Sequence, residues 1–108
     1  MNPNEETLDE VLRILGIEQT EDHRDQLWPM VLALQLYVSR NKQRGGVWRR
    51  SGARGSAFHL LAKAERLFSM VMRKHVPGND DMLDNINYTA FVFRCVRERD
   101  YNGSWAWE

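Results

Sequence analysis

The chain has 108 residues and a mass of 12.7 kDa, with 15 basic side chains balanced by 15 acidic ones. Its length suits one hydrophobic core, and 43% hydrophobic with 28% charged residues is typical of a globular domain, which excludes a disordered or fibrous chain. The lone cysteine excludes an internal disulfide framework, and no apolar run is long enough for a membrane span. The N-terminus is acidic, which excludes a signal peptide. We therefore expect a single domain over residues 1–108 in the cytoplasm.

Residues 1–25 form an acidic segment with eight acids, two bases and a net charge of −6. Within it, Thr7 and Glu10 have the spacing of a capping box, in which each side chain accepts from the other residue's backbone N–H. Gly16 suits the left-handed conformation that ends a helix. We therefore predict a first helix over residues 7–15, with an apolar face at helical spacing formed by Leu8, Val11, Leu12 and Leu15.

A second helix is predicted over residues 29–42. Pro29 fits the first position of a helix and disfavours helical angles at Trp28, so a boundary is expected there. The segment is apolar nearly all round, which predicts a central position in the fold. The apolar residues that support this interpretation are Met30, Val31, Leu34, Leu36, Tyr37 and Val38.

Residues 26–64 contain seven bases and no acid, and residues 43–55 combine arginines with glycines. Guanidinium groups match phosphate oxygens, and glycines let backbone N–H groups approach the same anion. We predict a loop over 43–55 that binds phosphate, with Trp48 stacking on a base; a solvated loop that pairs with the acidic segment is the alternative. The phosphate-binding candidates are Arg44, Arg49, Arg50, Arg54 and Lys63.

A third helix is predicted from Ser56, as its N-cap, to about His75. His59, Lys63 and Arg66 share one side of it; they are either a solvated stripe or an extension of the phosphate surface. The predicted buried stripe consists of Leu60, Leu61, Ala64, Leu67, Phe68, Val71 and Met72.

A fourth helix is predicted after the Pro77-Gly78 turn, with Asn79 as its N-cap and Asp80 in the first turn, where the helix dipole favours negative charge. No internal repeat or strand-like alternation is convincing. The predicted fold class is therefore all-α, a compact bundle of about four helices.

Carboxylates in the second half of the chain are candidate metal ligands. Asp81 and Asp84 lie three residues apart on one helical face, an arrangement of oxygens that suits Mg²⁺, and Glu65 is the candidate third ligand. The alternative is that Asp81 only satisfies the helix dipole and that Glu65 pairs with a base.

Polar residues interrupt the apolar fourth helix at Asn87 and Tyr88. A buried asparagine either reads a polar edge of a ligand or ties helices together. Cys95 is predicted to be a core residue rather than a nucleophile, since no histidine is placed to activate it. The aromatic tail over residues 102–108, with Trp105 and Trp107, is expected to pack on the domain's own core or on a neighbouring subunit, which favours a homo-oligomer.

The segment from Trp48 to Tyr88 resembles phage and bacterial proteins of the nucleotide modification associated domain 1 type, which are similar to the all-α, MazG-like NTP pyrophosphohydrolases. The resemblance covers about 40 residues, and its most specific part is the Asp-x-x-Asp-x-x-Asn-Tyr pattern of residues 81–88. It implies that Asp81 and Asp84 match one of two acidic pairs that bind Mg²⁺ and the substrate's phosphates. The other acidic pair has no counterpart in this chain.

Two divalent cations need more negative charge than three carboxylates beside several arginines supply. We therefore expect a protein that binds a nucleotide or nucleotide derivative, with Asp84 or Asn87 reading a polar edge of the ligand and Trp48 or Tyr88 against its base. One role would be to sequester a nucleotide signal, another to serve nucleotide modification. The alternatives are a Mg²⁺-dependent pyrophosphohydrolase and a module that binds protein or nucleic acid; overall neutrality disfavours nucleic acid.

Overall fold

The computed structural model describes residues 3–44 and 48–98, which form four α-helices and no strand. This confirms the all-α bundle. The helices are α1 (Glu5–Ile14), α2 (Glu21–Arg44), α3 (Trp48–Met72) and α4 (Asn79–Glu98). α4 packs against both α2 and α3, while α1 packs against α2. The aromatic tail lies outside the described residues.

α1 begins two residues earlier than its capping box predicts. The N-cap is Asn4, whose side-chain Oδ1 accepts a hydrogen bond from the backbone N–H of Thr7 at 2.8 Å. The earlier start places Glu5 and Glu6 in the first turn, where the helix dipole favours their charge. The predicted stop is confirmed, since Gly16 has a φ of 74° and directly follows the last turn of the helix.

α2 begins eight residues before Pro29, so the predicted boundary at Trp28 is wrong. The hydroxyl of Thr20 accepts from the backbone N–H of His23 at 3.1 Å and caps the new start. Arg24 then donates to Asp9 at 2.9 Å, which ties the first turn of α2 to α1. These contacts offset the backbone hydrogen bond that Pro29 cannot donate inside the helix.

Helical backbone replaces most of the predicted loop over residues 43–55. α2 extends through Arg44 and α3 starts at Trp48, with a kink at Gly52 where the backbone leaves helical angles. Ser56 is consequently buried inside α3 and is not its N-cap. Likewise Asn79 is the first residue of α4 rather than the cap before it.

α3 ends three residues before His75. Lys74 adopts a left-handed φ of 59°, and the backbone N–H of His75 donates to the carbonyl of Met70 at 2.8 Å. This pattern closes a helix through a left-handed residue, a place more often taken by glycine.

The buried core is small, and α4 rather than α2 is the central helix. The predicted buried stripe of α3 is largely wrong, because α4 covers only one side of α3 and the apolar face is wider than that contact. Leu61, Phe68, Val71 and Met72 are all exposed. The buried apolar residues of the described ranges are Leu8, Leu12, Ala33, Ala53, Leu83 and Cys95.

Candidate functional site

Charged and aromatic side chains meet where α3 runs antiparallel to α4. Three contacts join the two helices, and their residue numbers rise along α3 as they fall along α4, which fixes the relative register. Lys63 is the middle residue of the three on α3, and it contacts Asp84. The flanking contacts are His59 with Tyr88 and Arg66 with Asp81.

Asp84 is a buried carboxylate held by cations from two helices. Arg40 of α2 donates through Nη1 to its Oδ1, and the Lys63 ammonium lies 3.2 Å from its Oδ2. Arg40 also donates to Asp80 at 3.0 Å. Because each oxygen of Asp84 faces a different cation, the carboxylate joins α2, α3 and α4 at one point.

The charge of Arg40 is secured by this arrangement. Burial lowers the pKa of Arg40, but the hydrogen bond to Asp84 and the negative charges of Asp84 and Asp80 outweigh that effect and leave the pKa raised. A guanidinium with a raised pKa is charged at any pH at which the protein is folded. Titration of Arg40 therefore does not change the free energy of unfolding over the pH range in which the protein is folded.

An aromatic row lies beside the charged groups. The His59 and Tyr88 rings have centroids 5.5 Å apart and planes tilted by 30°. Phe91 follows Tyr88 at 5.3 Å, edge to face, and contacts Tyr37 of α2 at 5.7 Å. The row thus crosses from α3 over α4 to α2, the same three helices that the contacts of Lys63, Asp84 and Arg40 join.

The three predicted metal ligands do not come together. Asp84 is engaged by Arg40 and Lys63, while Asp81 accepts from Arg66 at 3.1 Å and from the backbone N–H of Gly78 at 3.2 Å. Over residues 3–44 and 48–98, no three histidine, cysteine, aspartate or glutamate side chains are grouped to hold a metal ion. Glu65 lies exposed on α3. Asp81 and Asp84 are counter-ions of Arg66 and of Arg40 and Lys63, respectively.

Among the arginines of the predicted phosphate loop, Arg54 is the one whose side chain the structure describes. Arg54 is exposed, and its nine residues of separation from Lys63 put the two on opposite sides of α3. The side chains of Arg44, Trp48, Arg49 and Arg50 lie outside what the structure describes, so their role stays a prediction.

Asn87 ties two helices together, which was one of its two predicted roles. Its side-chain Nδ2 donates to the backbone carbonyl of Ala33 on α2 at 3.0 Å. Cys95 is fully buried, as its prediction as a core residue requires.

The functional residue that the sequence predictions missed is Arg40. It was counted only among the seven bases of residues 26–64. Ala33, Tyr37 and Arg40 recur at helical spacing, and each of them meets α4: Ala33 through Asn87, Tyr37 through Phe91 and Arg40 through Asp84. A base that continues the row of Ala33 and Tyr37 is the signal that could have identified it.

Comparison with known protein families, with curated proteins and with solved structures gives no significant match for this chain. The resemblance of residues 48–88 to nucleotide-handling proteins therefore stays a prediction. Within the described ranges, no helix has an apolar stretch long enough to span a bilayer.

Proposed function

We propose that the protein binds a nucleotide or a phosphorylated nucleotide derivative on the face of α3 that carries His59, Lys63 and Arg66. The observation that supports this most directly is that Lys63, held against the buried Asp84, lies one turn from the His59–Tyr88 ring pair. A fixed cation beside two aromatic rings can hold a phosphate and a base at the same time.

The ion pairs of these cations position them without using all of their donors. Lys63 contacts one carboxylate oxygen of Asp84, and Arg66 donates through Nε to Asp81. An ammonium has three N–H donors and a guanidinium five, so a single contact leaves others for phosphate oxygens. Arg66 is also largely exposed, which makes it available to a ligand.

The ligand of this proposal is bound rather than cleaved. The carboxylates closest to the cations are used as their counter-ions, and the second acidic pair that two bound Mg²⁺ ions would need has no counterpart in this chain. In a phage or bacterial cytoplasm, such a protein would sequester a nucleotide signal or serve nucleotide modification. Arg44, Arg49, Arg50 and Arg54 would extend the phosphate contacts if they reach the same ligand.

Isothermal titration calorimetry at low salt, with nucleoside mono-, di- and triphosphates and cyclic dinucleotides, tests this proposal. We expect at least one nucleotide to bind, and we expect K63A/R66A to weaken it by about 100-fold, since each charged hydrogen bond contributes about 1.5 kcal/mol. The matched control is R13A, which also removes exposed positive charge but lies on α1, where Arg13 pairs with Glu10. R13A should bind as the wild type does.

Three results would contradict the proposal. The first is no binding to any nucleotide of the panel. The second is an equal loss of affinity in R13A and K63A/R66A, which would indicate a non-specific charge effect. The third is tighter binding to a DNA duplex than to a mononucleotide, with a steep dependence on salt, which would favour a nucleic-acid module. Release of pyrophosphate in the presence of Mg²⁺ would favour the hydrolase instead.

A further inference from the structure

We infer that two copies of this chain pair through the exposed face of α3 in an antiparallel arrangement. The face is apolar and uncovered in the single chain. Its large apolar side chains each leave between 56% and 69% of their surface exposed. They are Phe58, Leu61, Phe68, Val71 and Met72.

The spacing of this face is that of a helix-packing seam. The exposed residues alternate steps of four and three along the helix, the repeat with which helices pack side by side in coiled coils. Every member of the row is exposed in the single chain, so the row is accessible to a partner helix. The row consists of Arg54, Phe58, Leu61, Glu65, Phe68 and Met72.

The charges on this row point to a second copy as the occupant. Arg54 and Glu65 are its two charged members, of opposite sign and eleven residues apart. In an antiparallel pair related by a two-fold axis, Arg54 of each copy faces the partner's Glu65. The same register places Phe58 against the partner's Leu61, so two apolar layers lie between two ion pairs. A surface that complements itself in this way is what a two-fold interface requires.

The overlap that this register fixes runs from Arg54 to Glu65 of each copy. Phe58 and Leu61 lie within it, and the exposed Ala57 and Ala64 lie beside them, whereas Phe68, Val71 and Met72 lie beyond Glu65. A buried aromatic side chain contributes about 150–250 Å² and a standard interface buries about 800 Å² per partner, so this contact is the small interface of a weak, concentration-dependent dimer.

This interface lies on the opposite side of α3 from the cations of the proposed nucleotide site. Arg54 and Lys63 are nine residues apart, so pairing through the row leaves Lys63 uncovered by that contact. The two surfaces adjoin at Phe58, whose ring meets the His59 ring edge to face at 5.9 Å. The inference therefore does not depend on nucleotide binding.

Sedimentation velocity of the full chain, from about 1 to about 100 µM, tests the inference. We expect the wild type to reach twice the 12.7 kDa monomer mass and F58E/L61E to remain monomeric. The control is F93E, which adds charge at an exposed phenylalanine of α4 and should leave the dimer intact. Far-UV circular dichroism identifies any variant that has lost its helices.

A charge exchange provides a second test that does not rely on disrupting apolar residues. R54E and E65R each turn two ion pairs into two like-charge contacts, so each should raise the dissociation constant about tenfold. The double variant R54E/E65R recreates both pairs in reverse and should restore dimerisation. A wild type that stays monomeric at the highest concentration, a dimer that survives F58E/L61E, or a double variant no better than the single variants would overturn the inference.

Discussion

Asp84→Ala is expected to lower the free energy of unfolding by about 3 kcal/mol, because it leaves two cations at a helix junction without their shared counter-ion. Asp84 is buried, and it is contacted by Arg40 from α2 and Lys63 from α3. Removing one partner of a buried ion pair usually costs about 3–5 kcal/mol. The lower end applies here, since the side chains of Arg40 and Lys63 keep 33% and 36% of their surface exposed and water screens them in part.

The matched control for this variant is Asp80→Ala. Asp80 also accepts from Arg40, at 3.0 Å, but it is an exposed residue in the first turn of α4. Its removal should cost less than about 1 kcal/mol. Urea unfolding followed by circular dichroism measures both variants. Equal losses would show that burial of Asp84 does not strengthen its contacts, and the junction would then not be what holds the three helices together.

The helices could be predicted from the sequence better than their ends. Apolar spacing indicates all four, but their starts depend on which of several capping residues is used. Asn4 caps α1 although Thr7 and Glu10 have the spacing of a capping box. Thr20 caps α2 far ahead of Pro29, since packing can offset both the hydrogen bond that proline removes inside a helix and the clash of its ring with the preceding turn.

Burial could be predicted less well, for a related reason. Periodicity identifies an apolar face but does not say how much of that face another helix covers. On α3 the pattern is wide, and α4 covers the side of Ala53 and Ser56 while Leu61 and Phe68 stay exposed. An apolar pattern in the sequence does not distinguish a face that packs in the core of the chain from a face that packs against another molecule.

For the candidate site, Lys63, Asp84 and Tyr88 were predicted and are brought together with Arg66 and His59. The two acids predicted as metal ligands, Asp81 and Asp84, contact Arg66 and Lys63 there. An i, i+3 pair of acids near a helix start fits a metal, a helix dipole or an ion pair equally well, so spacing alone cannot distinguish these uses. The distinction depends on α2 and α3, and no local pattern reports on which helices surround an acid.

Gly52→Ala is expected to destabilise the fold by about 3 kcal/mol, because Gly52 holds a backbone conformation that other residues rarely adopt. Its φ of 63° and ψ of −169° lie in a region open almost only to glycine, and occupying it with another residue costs about 1–3 kcal/mol. The upper end is expected because the buried Ala53 and Ser56 follow directly and pack against the rest of the bundle. If the alanine at residue 52 relaxed to helical backbone angles, Ala53 or Ser56, or both, would have to move.

Gly78→Ala is the control for this effect. Gly78 directly precedes α4, and a methyl group there would meet the Asp81 carboxylate at an ordinary 3.5 Å. Its free energy of unfolding should stay within about 0.5 kcal/mol of the wild type. Thermal unfolding of the two variants compares them directly. A Gly52→Ala protein as stable as the Gly78→Ala protein would mean that α3 continues straight through residue 52, and the backbone of residues 48–51 would then take a different direction from the bundle.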